Sequence, residues 1–172
     1  NWSFKNCKCR FFNSFGPGEV PGQYRNVIPN FVYWSMLGKS LPLTGTGDET
    51  RDFTYVLDLV QGLIKAAYYK DAIGQAFNLA SGKETKIKDM ITKVNQATGN
   101  SRPITKYPAR KWDTKKRLLA SIELAGKLID YKPTTKFKDG LKANIEWFKT
   151  NWDKIQNQAD FPVGMSSAIR KK

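Results

Sequence analysis

The 172-residue chain carries 29 Lys or Arg against 15 Asp or Glu, a formal charge of +14, with 40% hydrophobic and 13% aromatic residues. That balance excludes a disordered polymer and fits one folded domain with its own core. Histidine is absent and there are two cysteines, which excludes a His-based catalytic triad and the usual His-containing zinc sites.

No apolar run approaches membrane-spanning length. The opening NWSFKNCKCR is basic but lacks the apolar core of a signal peptide, so the expected location is the cytoplasm. The chain begins without methionine and almost inside a strand, which points to a fragment or processed product. The charge is uneven: residues 83–172 hold 21 Lys or Arg against 9 Asp or Glu. Within them, Arg102 to Arg117 contains seven bases and one acid, Asp113. Such a run attracts nucleic acid, a membrane surface or phosphorylated small molecules. A solvated face with no ligand fits the charge equally well.

In chain order, residues 7–12 (CKCRFF) read as a short strand, with the Cys7 and Cys9 thiols on one face as reduced core residues. GPGEVPG reads as a loop. Ile28 to Leu37 predicts a helix, with Pro29 in its first turn and Gly38 beyond its end. LPLTG looks extended and TGDET is turn-rich. Asp58 is a good N-cap for a helix whose apolar face would be Leu59, Leu63, Ala66 and Ala67. Residues 75–80 (QAFNLA) read as a second apolar strand. A helix over residues 86–98 carries Ile87, Ile91 and Val94 in one stripe and closes at Gly99. ITKYP is a short strand. Ser121 caps SIELAGKLI, and Thr135 caps a last helix with Leu141, Ile145, Phe148 and Trp152 on one face. Residues 156–172 show no periodicity and predict an irregular tail. The two near-continuous apolar strands read as members of a parallel sheet covered on both faces, so a third element should lie beside them.

RFFNSFGPGE, NVIPNFV, GKSLPLTGTGDETRDFTYVLDLVQGL, AFNLASGKETKIKDM, RKWD with SIELAGKLIDYKP, and KFKDGLKANIEWF follow one another in this order. Together they resemble the C-terminal part of nucleotide-sugar epimerases and dehydratases of the extended short-chain dehydrogenase/reductase family. The resemblance implies an α/β fold: the last parallel strands of a Rossmann-type sheet plus a small, mostly helical substrate-binding domain. It implies that residues 1–155 are that substrate-binding portion and that the NAD-binding domain lies outside the chain. Neither the family's glycine-rich coenzyme turn nor a convincing Tyr-x-x-x-Lys pair accompanies these motifs.

By the same resemblance Asn13, at a strand end where open α/β sheets bind ligands, contacts a sugar nucleotide near its diphosphate. Read on its own, Asn13 is equally a turn residue satisfying the local backbone. Arg51 and Arg110 match the family's phosphate-binding arginines, whose planar forks suit diphosphate oxygens. Asp113 matches an acceptor for ribose hydroxyls, and Asn26 and Val27 match contacts to the base. Phe12 and Ser14 are expected at the nicotinamide edge of NAD. Thr44 stands where many relatives carry a larger apolar or aromatic group. The implied function is the substrate part of a UDP-hexose 4-epimerase-like enzyme, inactive alone and homodimeric when complete, with no membrane partner. The other reading of the charge is a nucleic-acid-binding module on the same fold.

Overall fold

A computed structural model describes residues 5–111 and 113–161. β1 (Lys8–Phe11) and β2 (Ser14–Phe15) lead through a long loop to α1 (Val27–Met36). β3 (Pro42–Thr44), β4 (Thr50–Asp52) and β5 (Thr54–Tyr55) precede α2 (Val56–Tyr68). A 3-10 turn (Lys70–Ala72) is followed by β6 (Ala76–Leu79), β7 (Glu84–Lys86), α3 (Ile87–Thr98) and β8 (Thr105–Tyr107). Then come α4 (Glu123–Ile129), α5 (Phe137–Thr150) and α6 (Trp152–Gln158). None of the described helices is long and apolar enough to cross a membrane.

The two strands anticipated from their apolar runs do pair in parallel, with Cys9 opposite Phe77 and Phe11 opposite Leu79. β2–β5 and β3–β8 are also parallel, while β4–β7 is antiparallel. Parallel strands need crossovers, and here α1 and α2 lie in the stretch joining β1 to β6. Two cores result. The larger packs α1, α3 and α5 around Val32, Trp34, Met90, Ile91, Ile145 and Phe148. The smaller lies under β1–β6 and centres on Phe77, Leu79, Ile129 and Tyr131. Cys7 and Cys9 are half-buried free thiols packed against this smaller core. Burial, and the neighbouring Cys7, push the Cys9 thiol up to about 11.

The helix ends at Gly38 and Gly99 fall where expected, with φ of 66° and 74°. Three expectations are corrected. First, α2 begins at Val56, so Asp58 sits inside its first turn rather than capping it. Its buried carboxylate accepts the Thr134 and Thr135 backbone N–H groups at 3.2 and 3.0 Å, tying α2 to the segment before α5. Thr135 therefore spends its N–H on Asp58, and Lys136 holds the N-cap position of α5. Second, the buried face of α2 is Asp58, Leu59, Gly62 and Ala66; Leu63 and Ala67 face solvent. Gly62 decides this rotation: a Cβ there would stand 2.8 Å from a Leu79 methyl and 2.9 Å from the Tyr131 ring. Third, the tail is not wholly irregular. Residues 152–158 are helical, with Ile155 fully buried, and the Asp160 carbonyl accepts from the Gln23 N–H at 2.9 Å. The rest of the tail, 162–172, lies outside the described residues.

Candidate nucleotide-binding cavity

After β1 the backbone reverses at Asn13, whose φ of 29° places it in left-handed space. Asparagine tolerates this better than most residues because its short amide bonds locally. Its Nδ2 donates to the Asp52 carbonyl at 3.2 Å, and the Thr54 N–H donates to the Asn13 carbonyl at 3.2 Å. Asn13 thus clasps the end of β1 to β4 and β5, a backbone role that exists alongside its position at the strand end. Asp52 fixes the other side of β4. It is fully buried, and its carboxylate accepts the Ser81 N–H at 2.9 Å, the Ser81 hydroxyl at 2.6 Å and the Gly82 N–H at 3.0 Å. Strand alternation sends Arg51 to the opposite side of β4 from Asp52.

The loop from Gly16 to Asn26 is pinned to α1 by the buried Asn30, which exchanges two 2.9 Å hydrogen bonds with the Gly22 backbone. At the loop's end the Asn26 amide donates to Glu19 at 3.1 Å and to the Ser14 carbonyl at 3.4 Å. Burial raises the Glu19 carboxyl, an effect the Asn26 N–H groups and Arg25 partly offset. On the far wall, beyond β8, Arg110 donates through Nε to Asp113 Oδ2 at 2.6 Å.

These elements enclose one cavity of about 350 Å³, within the usual range for small-ligand sites. Asn13, Asn26, Val27, Arg51, Arg110 and Asp113 all line it, although nearly a hundred residues separate the first from the last. Phe12 and Ser14 are not among its lining residues; Ser14 instead pairs with Thr54 in β2–β5. Asp113 and Arg110 form an ion pair, so they act on the wall as a unit rather than as two separate contacts. Thr44 lines the cavity beside Gly45.

Some lining residues escaped the sequence reading. Arg25 adds a third guanidinium, and its only sequence signal is adjacency to Asn26. Glu49 accepts the Gly47 N–H at 2.8 Å and the Thr46 hydroxyl at 3.3 Å. Burial alone would raise its carboxyl, but hydrogen bonds from its own backbone N–H, from Gly47 and from Thr46 hold it below the ordinary value. Phe31 and Trp34, 5.8 Å apart between ring centroids, supply an apolar wall. The Tyr-x-x-x-Lys spacing does occur once, from Tyr107 to Lys111. There Tyr107 ends β8 and Pro108 follows, so no helical turn presents the two side chains together.

A model of the NAD dependent epimerase/dehydratase family matches residues 2–80. The chain is 30% identical over 145 residues to a UDP-N-acetyl-alpha-D-glucosaminuronate decarboxylase of Bacillus cytotoxicus, covering 81% of this chain and 45% of the relative. Its structure matches an epimerase of Methanothermobacter thermautotrophicus with a TM-score of 0.90 and 48% identity, over 91% of this chain and 47% of the other. It also matches the Bordetella bronchiseptica enzyme WbmF in complex with NAD+ and UDP, with a TM-score of 0.76, 38% identity, and coverage of 87% and 47%. The chain thus spans about half the length of these relatives. The ordered motifs, the parallel α/β fold and these matches agree in likening the chain to the NAD-dependent epimerase/dehydratase family, whose model its residues 2–80 match.

Proposed function

We propose that this chain is the nucleotide-diphosphate-sugar-binding part of an NAD-dependent sugar epimerase or dehydratase, nearest in chemistry to a UDP-hexose 4-epimerase. The observation that carries the reading is the convergence of Arg51 and Arg110 on one cavity beside the strand-end Asn13. A diphosphate needs fixed positive charge, and guanidinium groups on opposite walls supply it from two directions. Arg51 has no carboxylate within ion-pair distance among the described residues; its guanidinium donates to the Thr50 carbonyl at 2.7 Å. Its charge is therefore available to an anion.

Val27, Phe31 and Trp34 offer the base an apolar wall, and Asn26 a polar edge. The sugar end then points toward Asn13 and the carboxyl ends of β1 and β6, where open α/β sheets place their chemistry. The bound UDP of WbmF supports a uridine nucleotide. The relatives' names span decarboxylation, dehydration and epimerisation, and epimerisation rests on the 48% identical neighbour. The described residues do not fit a whole dinucleotide site. No glycine-rich turn runs from a strand straight into a helix, since GPGEVPG leads only to the loop before α1. NAD would be held by another portion of the enzyme, with Phe12 and Ser14 contributing at its edge. The nucleic-acid reading of the charge finds no support in the relatives.

Calorimetric titration of the chain with UDP tests the proposal. Arg51→Ala and Arg110→Ala should each weaken binding roughly ten- to a hundredfold, the range for losing a charge-assisted contact. Unchanged affinity in both variants, or no UDP binding by the parent chain, refutes it.

A further inference from the structure

The stretch between β2 and α1 carries Gly16, Pro17, Gly18, Pro21 and Gly22 and forms neither helix nor strand, so no regular element stiffens it. Its Gln23, Arg25 and Asn26 nevertheless line the nucleotide cavity. The buried Asn30 holds this loop from the α1 side. From the other side it is held by the residues that follow α6. Gly22 bridges Asp160 in parallel fashion, and the Gln23 N–H donates to the Asp160 carbonyl at 2.9 Å. Gln23 and Arg25 also line a second cavity, of about 430 Å³, which Gln158 and Asp160 line with them. These two side chains therefore stand between the nucleotide cavity and the C-terminal segment.

The next residue, Phe161, reaches a different wall. Tyr33 and Trp34 are consecutive on α1 and point about 100° apart around its axis. Phe161 contacts both: its ring stacks on Tyr33 at 5.7 Å and 15°, and lies 5.3 Å from Trp34 at 47°. Trp34 in turn meets Phe31 at 5.8 Å, and both of those rings line the cavity. Tyr33 is fixed from behind by Trp152, 5.5 Å away in α6. The fully buried Ile155 anchors α6, and the Ala159 N–H donates to its carbonyl at 2.8 Å. Neither Phe161 nor Tyr33 is among the cavity's lining residues. A segment that served only the core would need no backbone bond to the loop, yet this one joins the loop wall and the aromatic wall.

We infer that Asp160 and Phe161 clamp the nucleotide cavity from outside: they position the Gln23–Asn26 wall and Trp34, and so set nucleotide affinity without touching the ligand. This rests on the nucleotide reading of the cavity and adds to it residues that the ligand does not reach.

The test is calorimetric titration of the full chain and its Phe161→Ala and Tyr33→Ala variants with UDP. Each variant should raise the dissociation constant roughly tenfold, the order of losing one or two aromatic contacts. Phe161→Tyr, which keeps the stack, should stay within about twofold of the parent. The double alanine variant should be weakened no more than the worse single one, because both act through the same stack. Mere loss of folding lowers the binding stoichiometry and leaves the affinity of the folded molecules alone; that result overturns the clamp. So does an unchanged dissociation constant in Phe161→Ala. Hydrogen exchange provides a reading that needs no ligand. In Phe161→Ala the Gln23 amide should exchange about tenfold faster or more, with α3 and α5 amides unchanged; unaltered Gln23 exchange overturns the clamp. UDP binding that ignores the variants sinks only the clamp. Absence of UDP binding by the parent, with Gln23 exchange responding as expected, sinks only the nucleotide reading.

Discussion

The Asp52 carboxylate accepts hydrogen bonds from the Ser81 N–H and hydroxyl, the Gly82 N–H and, at 3.4 Å, the Ala120 N–H. It holds β4, the turn after β6 and the approach to α4 in one place, and Arg51 is its immediate neighbour. Truncating it leaves several buried donors unsatisfied, so Asp52→Ala should cost about 3 kcal/mol or more of stability and weaken UDP binding as well. Urea unfolding with an unchanged midpoint would contradict that role. Glu49 makes a pH-dependent counterpart. Its folded carboxyl lies below the ordinary value, so the stabilisation it gives is present above that ordinary value and is lost as pH falls through the folded one. Glu49→Gln should therefore be less stable than the parent near neutral pH, with the gap closing in acid. Thermal melts showing an equal gap at pH 7 and pH 3 would exclude this.

At the scale of elements, close helix approach sets the architecture, and two glycines mark where it occurs. Beside Gly62 stand Leu79 and Tyr131; beside Gly140 stand Tyr55 at 2.8 Å and Phe15 at 3.0 Å from a Cβ built there. Helix propensity alone favours alanine at both positions by about 1 kcal/mol. Overpacking typically costs about 1–3 kcal/mol, so Gly62→Ala and Gly140→Ala should destabilise, by chemical denaturation, despite that propensity. A stabilised variant at either site would show that the neighbouring side chains shift freely. The same glycines explain what the sequence could and could not reveal. Apolar periodicity located α3, whose buried face is Met90, Ile91 and Val94, whereas Pro29 and Gly38 bounded α1 and near-continuous apolar runs marked the β1–β6 pair. It misjudged α2, where leucines and isoleucine occupy the outer side and a glycine faces the core. It missed β2, β4, β5 and β7, which have two or three residues each and are fixed by side chains such as Asn13 and Asp52 rather than by their own pattern. Arg51 and Arg110 were legible only through the order of motifs. Arg25 and Glu49 were not, because a charged residue in a loop carries no periodic signal.

Across the whole molecule the two cores differ in what encloses them. The larger is surrounded by α1, α3, α5 and α6, with Val32, Met90, Ile91, Phe148 and Ile155 fully buried. The smaller has fewer buried side chains, a strand edge that is open among the described residues, and the exposed side of α2. Local opening follows buried apolar contact density, so native-state hydrogen exchange should find the amides of β1, β6 and α4 exchanging faster than those of α3 and α5. Measured in denaturant, the smaller core should open before the global transition, while the arginine-lined cavity, built largely on the larger core, keeps binding UDP. If both cores instead exchange at one common rate, the chain unfolds as a single cooperative unit. The smaller core is then self-sufficient as it stands, and its exposed strand and helix need no covering to be stable.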